Sequence, residues 1–137
     1  MATFINTRAA IKTKLQEVTL LAYVYDYHNS NLEGFPAITF DVSEATDDFL
    51  TNAENIRKVS WQIVIYQELT DRGLSAANAL LDAATDAVIA KLEGNSSLGG
   101  VVDYSSAVAG RRETIETPNG LARAQYLTLS TVWSALV

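Results

Sequence analysis

Cysteine is absent from the 137 residues, which excludes disulfides, thiolate nucleophiles and Cys-based zinc or iron–sulfur sites and leaves the redox compartment unread. Histidine occurs once, as His28. Basic residues are scarce: ten Lys and Arg stand against sixteen Asp and Glu, for a formal charge of −6. That balance is the opposite of the basic footprint of a nucleic-acid binder, so duplex DNA is not expected as a ligand of the surface as a whole. Long apolar runs are missing too. The longest, Val18 to Tyr25, is broken by Thr19 and falls far short of the roughly 20 residues a spanning helix needs. Met1 to Phe4 carry no charged stretch leading into an apolar run, so no signal peptide and no membrane partner are expected, and the chain reads as a soluble product of the cytoplasm.

What is present is material for a core. Hydrophobic residues make up 48% of the chain, and its length fits one domain over residues 1–137, since domains hold about 100–200 residues.

The periodicity changes along the chain. Ile11, Leu15 and Val18 recur at helical spacing, with Asn6 or Thr7 as N-cap, which predicts a helix over 7–18. Residues 21–27 are aromatic and β-branched and stop at His28-Asn29-Ser30-Asn31, a strand followed by a turn. After Gly34-Phe35-Pro36, Ile38, Phe40 and Val42 alternate with Thr39 and Asp41 as a second strand. Residues 43–55 hold Glu44, Asp47, Asp48 and Glu54 among small polar spacers and read as a solvated acidic loop that Phe49 and Leu50 could pin. A long strand follows, with Val59, Trp61, Ile63 and Ile65 on one face, ending near Glu68. Asp71-Arg72-Gly73 is a turn, Ser75 an N-cap, and Ala77, Leu80, Leu81, Ala84, Val88 and Leu92 a helical stripe over 76–92 that closes at Gly94-Asn95. Residues 101–108 form a strand, 109–120 a polar loop with Pro118-Asn119-Gly120 as its turn, and 122–137 a last strand with Leu127, Leu129 and Trp133 on one face. The order α-β-β-β-α-β-β predicts an α+β fold: a mainly antiparallel sheet of about four to five strands with two helices packed on it.

Chemical constellations are missing where they would be sought. Asp26, His28 and Ser30 share a strand face but lie too far apart for a nucleophile–base chain, so His28 reads as a partly exposed turn residue. Gly94 to Gly99 has phosphate-loop spacing, but Gly100 stands where the lysine is required. Asp82 and Asp86 lie one helical turn apart with no third ligand in reach, and Asp41 to Asn52 lacks the glycine and glutamate of a calcium loop. No catalytic residue, metal or cofactor is expected. Two weak basic clusters remain, Arg8 with Lys12 and Lys14, and Arg111-Arg112. Each is either a solvated face or a patch for an acidic protein surface, for which Glu44, Asp47 and Asp48 of a neighbouring copy are the obvious candidate.

Several stretches in a fixed order carry a resemblance. They are the leading helix, Gly34-Phe35-Pro36-Ala37, the acidic segment, Glu54-Asn55-Ile56-Arg57 running into Trp61-Gln62-Ile63-Val64-Ile65-Tyr66-Gln67-Glu68, Leu98-Gly99-Gly100-Val101-Val102-Asp103-Tyr104, and Gly120-Leu121-Ala122-Arg123-Ala124-Gln125. Over nearly its whole length the chain resembles the tail terminator, or tail completion, proteins of long-tailed bacteriophages and related gene transfer agents. The resemblance implies a non-enzymatic virion protein. Such a protein forms a hexameric ring on the head-proximal end of the tail tube, stops tube growth, and offers a surface to head completion or connector proteins. It assembles in the host cytoplasm, and DNA passes through the ring without specific binding. The alternatives are another neck component, a head-tail connector or head-closure protein, and a small ligand-binding α+β module. On this reading segments 43–55 and 109–120 are mobile contact loops that order on assembly.

Overall fold

The computed structural model describes residues 2–29, 31–49, 54–69, 73–94, 97–118 and 120–136. Its elements are α1 (Phe4–Gln16), β1 (Tyr23–Tyr25), β2 (Ala37–Phe49), β3 (Glu54–Glu68), α2 (Gly73–Glu93), β4 (Tyr104–Thr117) and β5 (Gly120–Leu136). The order is the α-β-β-β-α-β-β expected from periodicity. The strands form one sheet in the order β1-β2-β3-β5-β4, antiparallel throughout except for the short β1–β2 pair.

Thr3, not Asn6 or Thr7, caps α1: its side chain accepts from the Asn6 N–H at 3.0 Å, and the helix starts one turn earlier than predicted. Thr7, Ile11 and Leu15, four residues apart, form its buried stripe. In α2 the stripe is Ala77, Leu81, Ala84, Thr85, Val88 and Leu92. This helix begins at Gly73, so Ser75 lies within it and is not its cap. Asp71, Arg72 and Asn95, read as turn residues, lie outside the described residues, as does Ser30.

Both helices pack on one face of the sheet. Ile38, Phe40, Val59, Trp61, Ile63, Ile65, Leu127, Leu129 and Trp133 meet the helix stripes in one core, which burial of apolar area stabilises by about 25 cal/mol per Å². The Trp61 indole N–H donates to Thr131 Oγ1 at 3.0 Å, and that hydroxyl donates to the Val59 carbonyl at 3.0 Å, so the polar atoms buried beside Trp61 are satisfied.

Two expected loops are strands. Segment 43–55 continues β2 to Phe49 and opens β3 at Glu54, so its acidic residues stand on a hairpin; Leu50 and residues 51–53 lie outside the described residues. The composition is poor for a strand, but Asp47 lies directly across the ladder from Arg57 and bonds it at 2.8 Å, and Asp48 reaches Lys58 diagonally at 3.2 Å. Segment 109–120 likewise continues β4 to Thr117 and turns into β5 at Gly120, with Asn119 outside the described residues. Gly120 takes φ of +114°, which only glycine adopts without strain. The predicted strand boundaries at 101 and 108 therefore move to 104 and 117.

Candidate assembly surfaces

The segment carrying Arg111 and Arg112 is a β-bulge. Pairing of β4 with β5 shifts register between Ala109 and Arg112, which leaves the carbonyls of Gly110 and Arg111 outside the ladder. Gln125, buried on β5, repairs this: its Nε2 donates to Gly110 O at 3.0 Å, Arg111 O at 3.2 Å and Tyr126 O at 2.9 Å. Its Oε1 accepts from Arg112 Nε at 2.7 Å, and Arg112 Nη1 reaches Asp82 on α2 at 2.7 Å. Arg112 is thus held inside its own chain. Arg111 turns to the opposite face, where its guanidinium stacks on the Tyr126 ring at 4.0 Å and its side chain remains 65% exposed. Tyr126 donates its hydroxyl to Glu113 at 2.8 Å. Burial pushes the phenol pKa up, Glu113 adds to this by favouring the neutral donor, and Arg111 opposes it.

Of the other predicted contact residues, Arg8, Lys12, Asp47 and Asp48 also find partners in the chain. Arg8 donates to the Asp26 carbonyl and to Asp41 Oδ1, the latter at 2.8 Å, and lies over the Trp61 ring at 5.4 Å. Lys12 approaches Asp26 at 3.9 Å. Partial burial raises the Asp41 pKa, but the Arg8 bond, the Val42 N–H and the charges of Arg8 and His28 outweigh it, so the carboxyl lies below the usual carboxylate range. Asp47 is lowered first by its bond to Arg57 and then by Asn55. Glu44 has no ion pair among those shown for the described residues and stays exposed.

His28 is exposed, and its Nδ1 lies 3.0 Å from Thr39 Oγ1. Asp82 and Asp86 are both exposed on α2, and Asp82 is engaged by Arg112. Among the described residues no group of three or more His, Asp or Glu could hold a metal ion. No described helix is long and apolar enough to cross a membrane.

Sequence reasoning did not find the sheet face that bears no helix. On it Glu44, Ser60, Ser130 and Ser106 form one row across four strands, and Thr46, Lys58, Val132 and Tyr104 the next. A hollow of about 250 Å³ lies over these rows. The alternation of Ser60, Gln62, Thr128 and Ser130 with buried residues is the signal that could have shown this face to be polar. The outer edge of β4 and that of β2 past Thr39 pair with no strand among the described residues.

No protein-family profile and no curated protein sequence matches the chain. Among solved structures, one similar chain belongs to the virion of a native gene transfer agent particle, at 13% identity and a TM-score of 0.43 over 91% of this chain and 92% of that one.

Proposed function

We propose that the chain is a virion structural protein, a tail terminator that closes as a hexameric ring on the end of a tail tube. There it stops the tube growing and presents the surface to which head completion proteins join. The observation that carries this reading is the place of the resembling stretches in the fold. Gly34 to Ala37 leads into β2, Glu54 to Glu68 is β3, Leu98 to Tyr104 leads into β4, and Gly120 to Gln125 opens β5. All four therefore build the same sheet, three strands of which are 14 to 17 residues long against a usual 5–6. In this role the protein turns over no substrate and holds no cofactor. Its charge of −6 suits a ring that DNA traverses, because carboxylates repel phosphates.

The test is tail length. Particles assembled without this chain should carry overlong tubes unattached to heads, and adding the purified chain should restore length and joining. Tubes of normal length that fail only to join heads would make it a different neck component.

A further inference from the structure

One level row crosses the sheet on the face that bears no helix: Tyr25 of β1 lies beside Thr39, Thr39 beside Val64, and Val64 beside Tyr126. At the β4 end of that row stands Arg111, stacked on Tyr126 at 4.0 Å and 65% exposed. The bulge puts it there. A bulge re-aims a side chain at the cost of ladder bonds, and the buried Gln125 makes good that cost, so the display of Arg111 is built into the strand. Its ion pair with Glu113 is 3.9 Å long, and that carboxylate already accepts from the Tyr126 hydroxyl at 2.8 Å. At the β1 end the chain between β1 and β2 returns over the same face, where the Glu33 N–H donates to the Tyr25 hydroxyl at 3.0 Å. Glu33 is exposed, and its carboxylate makes no ion pair among the described residues. Tyr27, half exposed, packs edge-on against Tyr25 with ring centroids 6.1 Å apart.

We propose that Arg111 of one copy takes the Glu33 carboxylate of the next, so that opposite edges of the sheet meet through side chains and not through strand pairing. The occupant of this surface is therefore a second copy of this chain, and the proposal rests on the ring reading above. The two charges stand at opposite ends of one row on one face. A neighbour generated by rotation about an axis along the strands, without axial shift, carries its Glu33 to the level of Arg111. Within one copy β1 and β4 are four strand spacings apart, about 19 Å, and the two charges do not pair. Residue type fits as well. A guanidinium held flat on a tyrosine offers its remaining N–H groups to a carboxylate flanked by Tyr25 and Tyr27, and Arg and Tyr are the residues that anchor interfaces. Glu44, the partner expected from the sequence, shares the face but is level with Ser130, four residues and about 13 Å along the strands from the row of Tyr126. A contact between two different surfaces is head-to-tail, so it closes into a ring when the rotation closes and otherwise grows as a filament.

Charge reversal tests the contact, because a head-to-tail junction can be rebuilt from two broken chains. Arg111→Glu sets two carboxylates at every junction and Glu33→Arg two guanidiniums. Each full-length variant alone should need at least about tenfold more protein than the parent to assemble, while circular dichroism shows it still folded. Mixed in equal amounts, both chains still net acidic, they should assemble at the parent's concentration, because unlike neighbours restore the pair at every junction. Native mass spectrometry should then count equal numbers of the two chains. In a mixture with Glu44→Arg, which makes the same charge change elsewhere on the face, Arg111→Glu should be left out of the assemblies. Single variants that assemble as the parent does, or a mixture that fails where the parent closes, would overturn the contact and leave the ring reading standing. Equal incorporation beside Glu44→Arg would overturn the contact in the same way. Alternating open filaments would support the contact and contradict the ring. A parent chain that stays monomeric at every concentration, with tail tubes present, would overturn both.

Discussion

Gln125 Nε2 donates to the carbonyl of Gly110 at 3.0 Å, across the point where β4 loses register with β5. One buried amide thereby satisfies the carbonyls that the bulge takes out of the ladder and, through its oxygen, fixes Arg112. Gln125→Leu keeps the volume and removes every one of these bonds. It should cost about 1–3 kcal/mol in urea unfolding, the penalty for buried polar groups left unpaired, and Arg112→Leu should cost less. Equal stability of Gln125→Leu and the parent chain would contradict the bracing role.

Trp61 is fully buried between Phe40, Leu129 and the helices. Trp61→Ala should destabilise by about 3–5 kcal/mol, a large aromatic truncation in a close-packed site. Thr131→Val keeps the shape and removes both the acceptor for the indole N–H and the donor to the Val59 carbonyl, at about 1–3 kcal/mol. An unchanged thermal melt for Trp61→Ala would contradict its place in the core.

How much of this was legible in the sequence depended on where pairing energy resides. Trp61, Ile63 and Ile65, or Leu81, Ala84 and Val88, announce their faces because burial of apolar side chains has a period. Asp47 and Asp48 do not announce a strand, since what holds them there is Arg57 and Lys58 on the opposite strand, about ten residues on. The same holds for Arg111 to Thr117, whose strand is secured by Gln125, Arg123 and Tyr126 of β5. Polar segments read as loops whenever their partners are ladder neighbours that local composition cannot show. Because both segments are paired strands here, the expectation of mobile loops that order on assembly has no basis over their described residues.

Asp41, Asp47 and Glu17 all have pKa values held below the usual carboxylate range: Asp41 by Arg8 and Val42 against its own burial, Asp47 chiefly by its bond to Arg57, and Glu17 chiefly by its bond to Lys91. A depressed folded-state pKa contributes stability that is fully present above the unfolded value, about 4 for carboxylates, and is lost as pH falls through the folded value. The melting temperature should therefore hold from neutral pH to about 5 and decline below about 4. Asp41→Asn should melt lower at neutral pH and show a shallower acid decline. A parallel decline in both chains would remove Asp41 from the linkage.

Gly120→Ala tests the β4–β5 turn. At φ of +114° a Cβ is strained even though open space surrounds it, so the variant should lose about 1–3 kcal/mol. A neutral effect would mean that the turn relaxes to another type.

Closure into the proposed ring is tested by electron microscopy of the purified protein in negative stain, with native mass spectrometry of the same sample. A ring-forming chain should give uniform particles with a central opening and a mass of six copies, or the same rings formed on the ends of added tail tubes. A monomer that stays a monomer with tubes present, or one that retains a small molecule in the native mass, would contradict it.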